Sequence, residues 1–136
     1  MAILEVQKAV MQKLYEMPGN LPTAFEGISF DGAGREMYQR LQFNILPPDD
    51  PTFGTYYHRE NVEVQIFVVD RLEKGTSPAL EYAQKLKKHF HKGLTLEEDG
   101  VRMHILRTPR ISSAAILLDR LVIPVLIPLT AEVTAS

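Results

Sequence analysis

With 136 residues, 45% of them hydrophobic and 24% charged, the chain has the profile of one globular domain spanning residues 1–136, long enough to bury about two thirds of its unfolded surface. A net charge of -2 and a pI near 6.1 supply no basic field to hold DNA or an acidic membrane, so neither specific nucleic acid nor a membrane is an expected partner. The absence of cysteine excludes disulfides, thiolate metal sites and cysteine nucleophiles, and is compatible with a reducing cytoplasm.

Over residues 2–17, Ile3, Val6, Val10, Leu14 and Met17 fall three or four apart while Glu5, Gln12, Lys13 and Glu16 fall elsewhere, as an amphipathic helix requires. The early Glu5 and this amphipathic pattern do not read as a signal peptide. Pro18, Gly19 and Asn20 stop the helix. A short edge strand fits around Ala24 to Glu26, and the run Asp31, Gly32, Ala33, Gly34 is a turn. Met37, Leu41, Phe43 and Ile45 then alternate with Tyr38, Arg40, Gln42 and Asn44, a strand whose apolar face only Gln39 interrupts.

Residues 46–59 read as a display loop. Pro47, Pro48 and Pro51 fix φ and remove three backbone donors, Asp49 and Asp50 keep the tip in water, and Gly54 permits a reversal before Tyr56 and Tyr57. The connection exceeds the two to about five residues of an ordinary hairpin, and loops of this length tend to be functional or disordered. Val62, Val64, Ile66 and Val68 next alternate with Asn61, Glu63, Gln65 and Phe67, the clearest strand in the chain.

A second helix over residues 77–92 is punctuated by Ser77 as N-cap, Pro78 at the first helical position and Gly93 beyond the last turn. Its buried stripe is Ala79, Tyr82, Ala83, Leu86 and Phe90, and Lys87, Lys88, His89, His91 and Lys92 complement the negative end of its dipole. Residues 94–106 form a hairpin about the turn Glu98, Asp99, Gly100, and residues 117–129 close the chain as an apolar strand. Pro124 and Pro128 share a strand parity, which suits an edge strand whose missing donors face away from its neighbour; protected edge and intersubunit seam are both open. The nine apolar-rich residues 121–129 are far short of the ~20 of a spanning helix. Strands, a helix and further strands in succession predict an α+β fold: an antiparallel β-sheet of about four or more strands with two helices packed on one face.

Several constellations invite chemistry. Gly32-Ala33-Gly34 lacks the third glycine of a phosphate loop, Met37 standing in its place before a strand. His89 and His91, two apart on a helix, point to different sides and do not share an ion. His58 and Glu60 share a strand face and offer either acid-base work or a solvated strand end, with no accompanying nucleophile. His104 and Arg102 mark a polar face that meets solvent or a subunit. No enzyme, metal or cofactor is expected. Phe53, Tyr56 and Tyr57 are equally readable as interface anchors or as a satellite core folded over the sheet edge. The candidate interface is therefore Pro47, Asp49, Asp50, Phe53, Tyr56, Tyr57 and Arg59.

The segments LPTAFEGISF at 21–30, NILPPDDPTFGTYYHRENVEVQIFV at 44–68, KGLTLEEDGVRMHILRTPRI at 92–111 and LVIPVLIPL at 121–129, in that order, resemble the tail terminator-like proteins of long-tailed bacteriophages, related in fold to the lambda-type terminator. The most specific pieces are Pro22 to Glu26, Pro51-Thr52 with Gly54, Tyr57 with Arg59, Thr108-Pro109, and the pair Pro124 and Pro128. Where relatives often carry an aromatic residue just before the last strand, this chain has Leu118, Asp119 and Arg120. The resemblance implies a small α+β subunit that forms a ring, a hexamer in relatives, on the last ring of the tail tube. Such a ring ends tube polymerisation and provides the head-joining surface. Its implied partners are itself, the tail-tube protein and a head-completion or connector protein; its implied locations are the host cytoplasm during assembly and the virion tail. The alternatives are a head-tail connector or tail-completion protein, or a nucleic-acid-binding module using Lys85, Lys88 and Lys92.

Overall fold

The computed structural model describes residues 3–28, 30, 37–50 and 57–134. Helix α1 (Ile3–Tyr15) buries Val6, Ala9, Val10 and Leu14 on one face, and the chain reverses where Gly19 takes φ 71°, a conformation that a side chain would strain. Strand β1 (Thr23–Phe25) follows, then the long strands β2 (Met37–Asp49) and β3 (Tyr57–Arg71). A 3-10 turn (Leu72–Lys74) leads to helix α2 (Ser77–His89). Strands β4 (Thr95–Glu98), β5 (Val101–His104), β6 (Arg110–Ile111), β7 (Ala115–Leu117) and β8 (Arg120–Thr134) complete the chain. The turn of the β4–β5 hairpin is Asp99-Gly100, both at positive φ, the conformation that matches strand twist. Among the described residues no helix is long and apolar enough to span a membrane.

The eight strands form one sheet in the order β1-β2-β3-β8-β5-β4, with β6 and β7 also paired to β8. The fold is α+β, but the sheet is mixed, because β1 runs parallel to β2, Thr23 opposite Gln39 and Phe25 opposite Leu41. Strands β2, β3 and β8 are antiparallel as expected. Both helices lie over the same face. Val62, Val64, Ile66 and Val68 of β3, with Ile123, Val125, Ile127 and Leu129 of β8, form one core with Val6, Val10 and Leu14 of α1 and Ala79, Ala83 and Leu86 of α2. Each of the Val, Leu and Ile side chains, fully buried, contributes about 1.5–3 kcal/mol relative to exposure. Among the described residues, the opposite face of the sheet carries no helix.

Gln39, which interrupts the apolar alternation of β2, is fully buried. Tyr82 of α2 donates its hydroxyl to Gln39 Oε1 at 3.0 Å and accepts from the Leu21 amide at 3.2 Å, while Gln39 Nε2 donates to Thr23 Oγ1 at 2.9 Å. One amide thus ties α2, β2 and β1 together. Burial pushes the Tyr82 phenol above its ordinary value, so it acts as a neutral donor.

Three expectations need correction. The first concerns residues 117–129, which are not one strand: the chain turns at Leu118 (φ 55°) and Asp119, separating β7 from β8. The second is the edge assignment. Strand β8 is interior, paired along its whole length with β3 on one side and with β7, β6 and β5 in succession on the other. The prolines explain this interrupted side. Ser112 donates its amide to the Pro124 carbonyl at 2.9 Å, so Pro124 faces β6 and away from β3, and its missing N–H leaves that ladder one bond short. Pro128, of the same parity, falls in the gap between β6 and β5. The missing donors do face away from the long neighbour, but three short strands fill the other side.

The third correction shortens the display loop. Strand β2 continues through Pro47 and Pro48 to Asp49 and β3 begins at Tyr57, with a register irregularity between Leu46 and Asp49. Prolines are tolerated there because β1 covers only residues 39–41 and leaves this part of β2 as an edge. Helix α2 also differs in detail: Thr76 occupies the N-cap position without a side-chain hydrogen bond, Ser77 is the first helical residue, and the helix ends at His89. The turn expected at residues 31–34 lies outside the described residues.

Candidate functional site

The outer ends of β2 (45–49) and β3 (57–61) form an arm that carries the candidate interface residues, with β3 paired to β8 as far as Tyr57 opposite Thr134. Asp49 stands opposite Arg59. Asn61 Nδ2 donates to the Pro47 carbonyl at 3.1 Å and to Asp49 Oδ2 at 3.0 Å, and Thr130 on β8 donates to Asn61 Oδ1 at 3.1 Å. Pro47 lacks an amide of its own, and the side chain of Asn61 crosses the irregular register to hold its carbonyl. A second chain of bonds runs alongside. Arg59 Nε donates to the Tyr57 hydroxyl at 3.3 Å, which donates to Glu132 Oε1 at 3.3 Å; His104 Nε2 lies 3.3 Å from Glu132 Oε2, and His104 Nδ1 lies 3.2 Å from Thr95 Oγ1.

This network spans β2, β3, β8, β5 and β4 on the helix-free face. The hydrogen bond from His104 holds the Glu132 carboxyl below the ordinary carboxylate value, aided by Tyr57 and Arg59 and opposed by desolvation. The arm is therefore tied to β8, β5 and β4 by side-chain bonds made at the candidate interface itself. Beside it lies a groove of about 390 Å³ lined by Leu46, Asp49, Arg59, Leu106, Arg107 and Pro128, where the β5–β6 connection passes the proline gap.

Of the residues that the sequence singles out, Pro47, Asp49, Tyr57 and Arg59 are brought together here, and Asp50 is exposed at the end of the arm. Phe53 and Tyr56 lie outside the described residues. Sequence reasoning missed Asn61, Thr130, His104 and Glu132. Parity placed Asn61 and His104 on polar strand faces, but their partners are 69 and 28 residues away, set by a register that no local pattern encodes.

His58 and Glu60 meet at 3.0 Å, on the face opposite to this network. His89 Nε2 donates to the Lys13 carbonyl and so ties α2 to α1, while His91 Nδ1 donates to the Lys92 carbonyl at 2.9 Å. Among the described residues no three His, Asp or Glu side chains gather in a way that could hold a metal ion. Lys85, Lys88 and Lys92 line a separate groove of about 590 Å³ between α2 and the Thr108-Pro109 segment.

A protein-family model described as phage tail terminator protein matches residues 5–128, nearly the whole chain, from within α1 to Pro128 in β8. The chain belongs to the phage tail terminator family. It is thus a component of a bacteriophage tail, as the order of its motifs suggests. No curated protein matches the terminator chain in sequence. Among solved structures, one superposes with a TM-score of 0.71 at 16% identity, covering 100% of this chain and 99% of that one, which shows that the two share the complete fold.

Proposed function

We propose that the protein closes the phage tail tube: copies assemble into a ring, a hexamer by analogy with the family, on the last tube ring, stop tube polymerisation and present the surface to which the head joins. The observation that carries this reading is the family match over residues 5–128. The β2–β3 arm supports it, because strand ends already held by cross-strand side-chain bonds lose little entropy when they dock. A ring requires a head-to-tail interface whose rotation closes. The partners on this reading are other copies of the chain, the tail-tube protein and a head-completion or connector protein, and assembly takes place in the host cytoplasm. On this reading the work is done by surfaces, without catalysis or a cofactor, and the His58–Glu60 contact is a strand-end hydrogen bond that joins no other side chain among the described residues.

Deleting the gene from its phage or prophage and imaging the tails by electron microscopy tests the proposal. Overlong tails without heads are expected, rescued by the wild-type gene. Tails of normal length joined to heads would remove the terminator role, and tails of normal length without heads would transfer the protein to head-tail connection.

A further inference from the structure

At the end of the sheet opposite the arm, the helix-free face carries an apolar trough of about 330 Å³. Its floor includes Phe67, Leu117 and Val122, and its rim Arg40 and Arg120. Tyr38 lies between Phe30, 5.1 Å away ring to ring, and the Arg120 guanidinium, 5.9 Å from its ring centre. The neighbouring β7–β8 hairpin is unusual for a surface. Ala114, Ala115, Ile116, Leu117 and Leu118 are all exposed, Leu118 at 96%, and Leu118 holds φ 55°. Five consecutive exposed apolar residues on an edge strand are a liability in a free subunit, and a leucine at positive φ is strained by about 1 kcal/mol or more. Water rewards neither feature, so both call for a cover.

The outer part of the arm has the complementary chemistry. Ile45 and Leu46 are exposed beside Pro47 and Pro48, and the acidic pair Asp49 and Asp50 follows. The end of β2 offers apolar surface beside two acidic residues, of which Asp49 stands opposite Arg59, and the trough offers apolar surface beside basic ones. Within one copy the two never meet: Asp49 is nine residues along β2 from Arg40, about 30 Å at strand rise. Arg40 makes no ion pair with any described residue, and the register sets it opposite Phe67 on the trough face.

We infer that the trough and the β7–β8 hairpin of one subunit receive the outer β2–β3 arm of a second copy, with Asp49 and Asp50 against the Arg40 and Arg120 rim. This rests on the ring reading and deepens it by naming both sides of the subunit contact. Donor and acceptor are different surfaces at opposite ends of one sheet, so the interface is heterologous and propagates from copy to copy until it closes. The strained Leu118 is then a buried anchor in the assembly.

The natural chain has no cysteine, so paired cysteines report adjacency without background. The variant Asp50→Cys with Leu118→Cys, supplied to the gene-deleted phage and oxidised in purified tails, is expected to give a ladder of crosslinked copies, and each single variant none. In a second arm that needs no fixed crosslinking geometry, Arg40→Glu is expected to lower incorporation into tails at least tenfold, and adding Asp49→Lys and Asp50→Lys to restore it. Leu118→Gly is expected to raise the thermal midpoint of the free subunit while lowering incorporation. Normal incorporation of Arg40→Glu together with absence of the ladder, in tails of correct length, would overturn this contact and leave the terminator reading standing. Crosslinks from Leu118→Cys to tube protein in place of a second copy would also overturn it. Loss of tail-length control as such is read separately, from the deletion.

Discussion

A single buried amide ties helix and sheet together in this protein. Gln39 sits where strand alternation calls for an apolar residue, and it survives there because Tyr82 and Thr23 satisfy it. Gln39→Leu removes the acceptor of the Tyr82 hydroxyl and the donor to Thr23 while leaving both partners buried or half-buried, so it should destabilise the fold by about 1–3 kcal/mol in urea titration despite being more hydrophobic. A gain in stability would mean that the network contributes nothing beyond volume. The position of Gln39 on the apolar face was legible from the sequence, and its burial was not, since the hydrogen-bonding group that permits it comes from α2, 43 residues away. The same holds in the arm. Tyr57 and Arg59 stand out locally beside the prolines, whereas Glu132, which receives their bonds, lies in an otherwise apolar strand and carries no signal until register is known.

Elements whose signals are periodic were read correctly: α1, α2, the β2 and β3 alternation and the Asp99-Gly100 hairpin. The failures occur where topology overrides local chemistry. Two prolines in one strand argue for an edge, but here the side they disable is filled piecewise by three short strands, so the strand is interior without a complete second ladder. The parallel pairing of β1 was equally invisible, because three residues carry no directional pattern. The network that joins β3, β5 and β8 gives the arm a pH response. Glu132 is held below its ordinary value of 4.5, chiefly by the hydrogen bond from His104, so the unfolded or opened state binds the more protons in that range and stability rises with pH. Its contribution is complete above the ordinary carboxylate value and is lost as the pH falls through the depressed one. Amide hydrogen exchange of residues 57–61 should therefore accelerate, relative to the core amides of α2, as the pH drops below 4.5 after correction for intrinsic rates, and Glu132→Gln should remove that difference. An unchanged profile in the variant would detach the arm from this carboxylate.

At the scale of the whole molecule, one sheet separates two kinds of surface: a face closed by helices that holds the core, and a face without helices that ends in an arm on one side and a trough on the other. On the ring reading, both ends of that face stay in water until copies meet. Ring closure from a monomer pool is concentration-dependent, and a tube end that holds several copies side by side lowers the cost by raising their effective concentration. The consequence is kinetic and separates a cap from a scavenger. If the ring acts on the tube end, purified protein added to polymerising tail-tube subunits should stop elongation at a ratio set by the number of ends, far below one copy per tube subunit, and tube length measured by electron microscopy should shorten as caps are added early. Variants with Arg40→Glu should lose this activity in the same proportion in which they lose incorporation, because a cap that fails to close does not hold the end. Inhibition that requires near-equimolar protein would instead mean that it binds free tube subunits, and the end-capping role would fall.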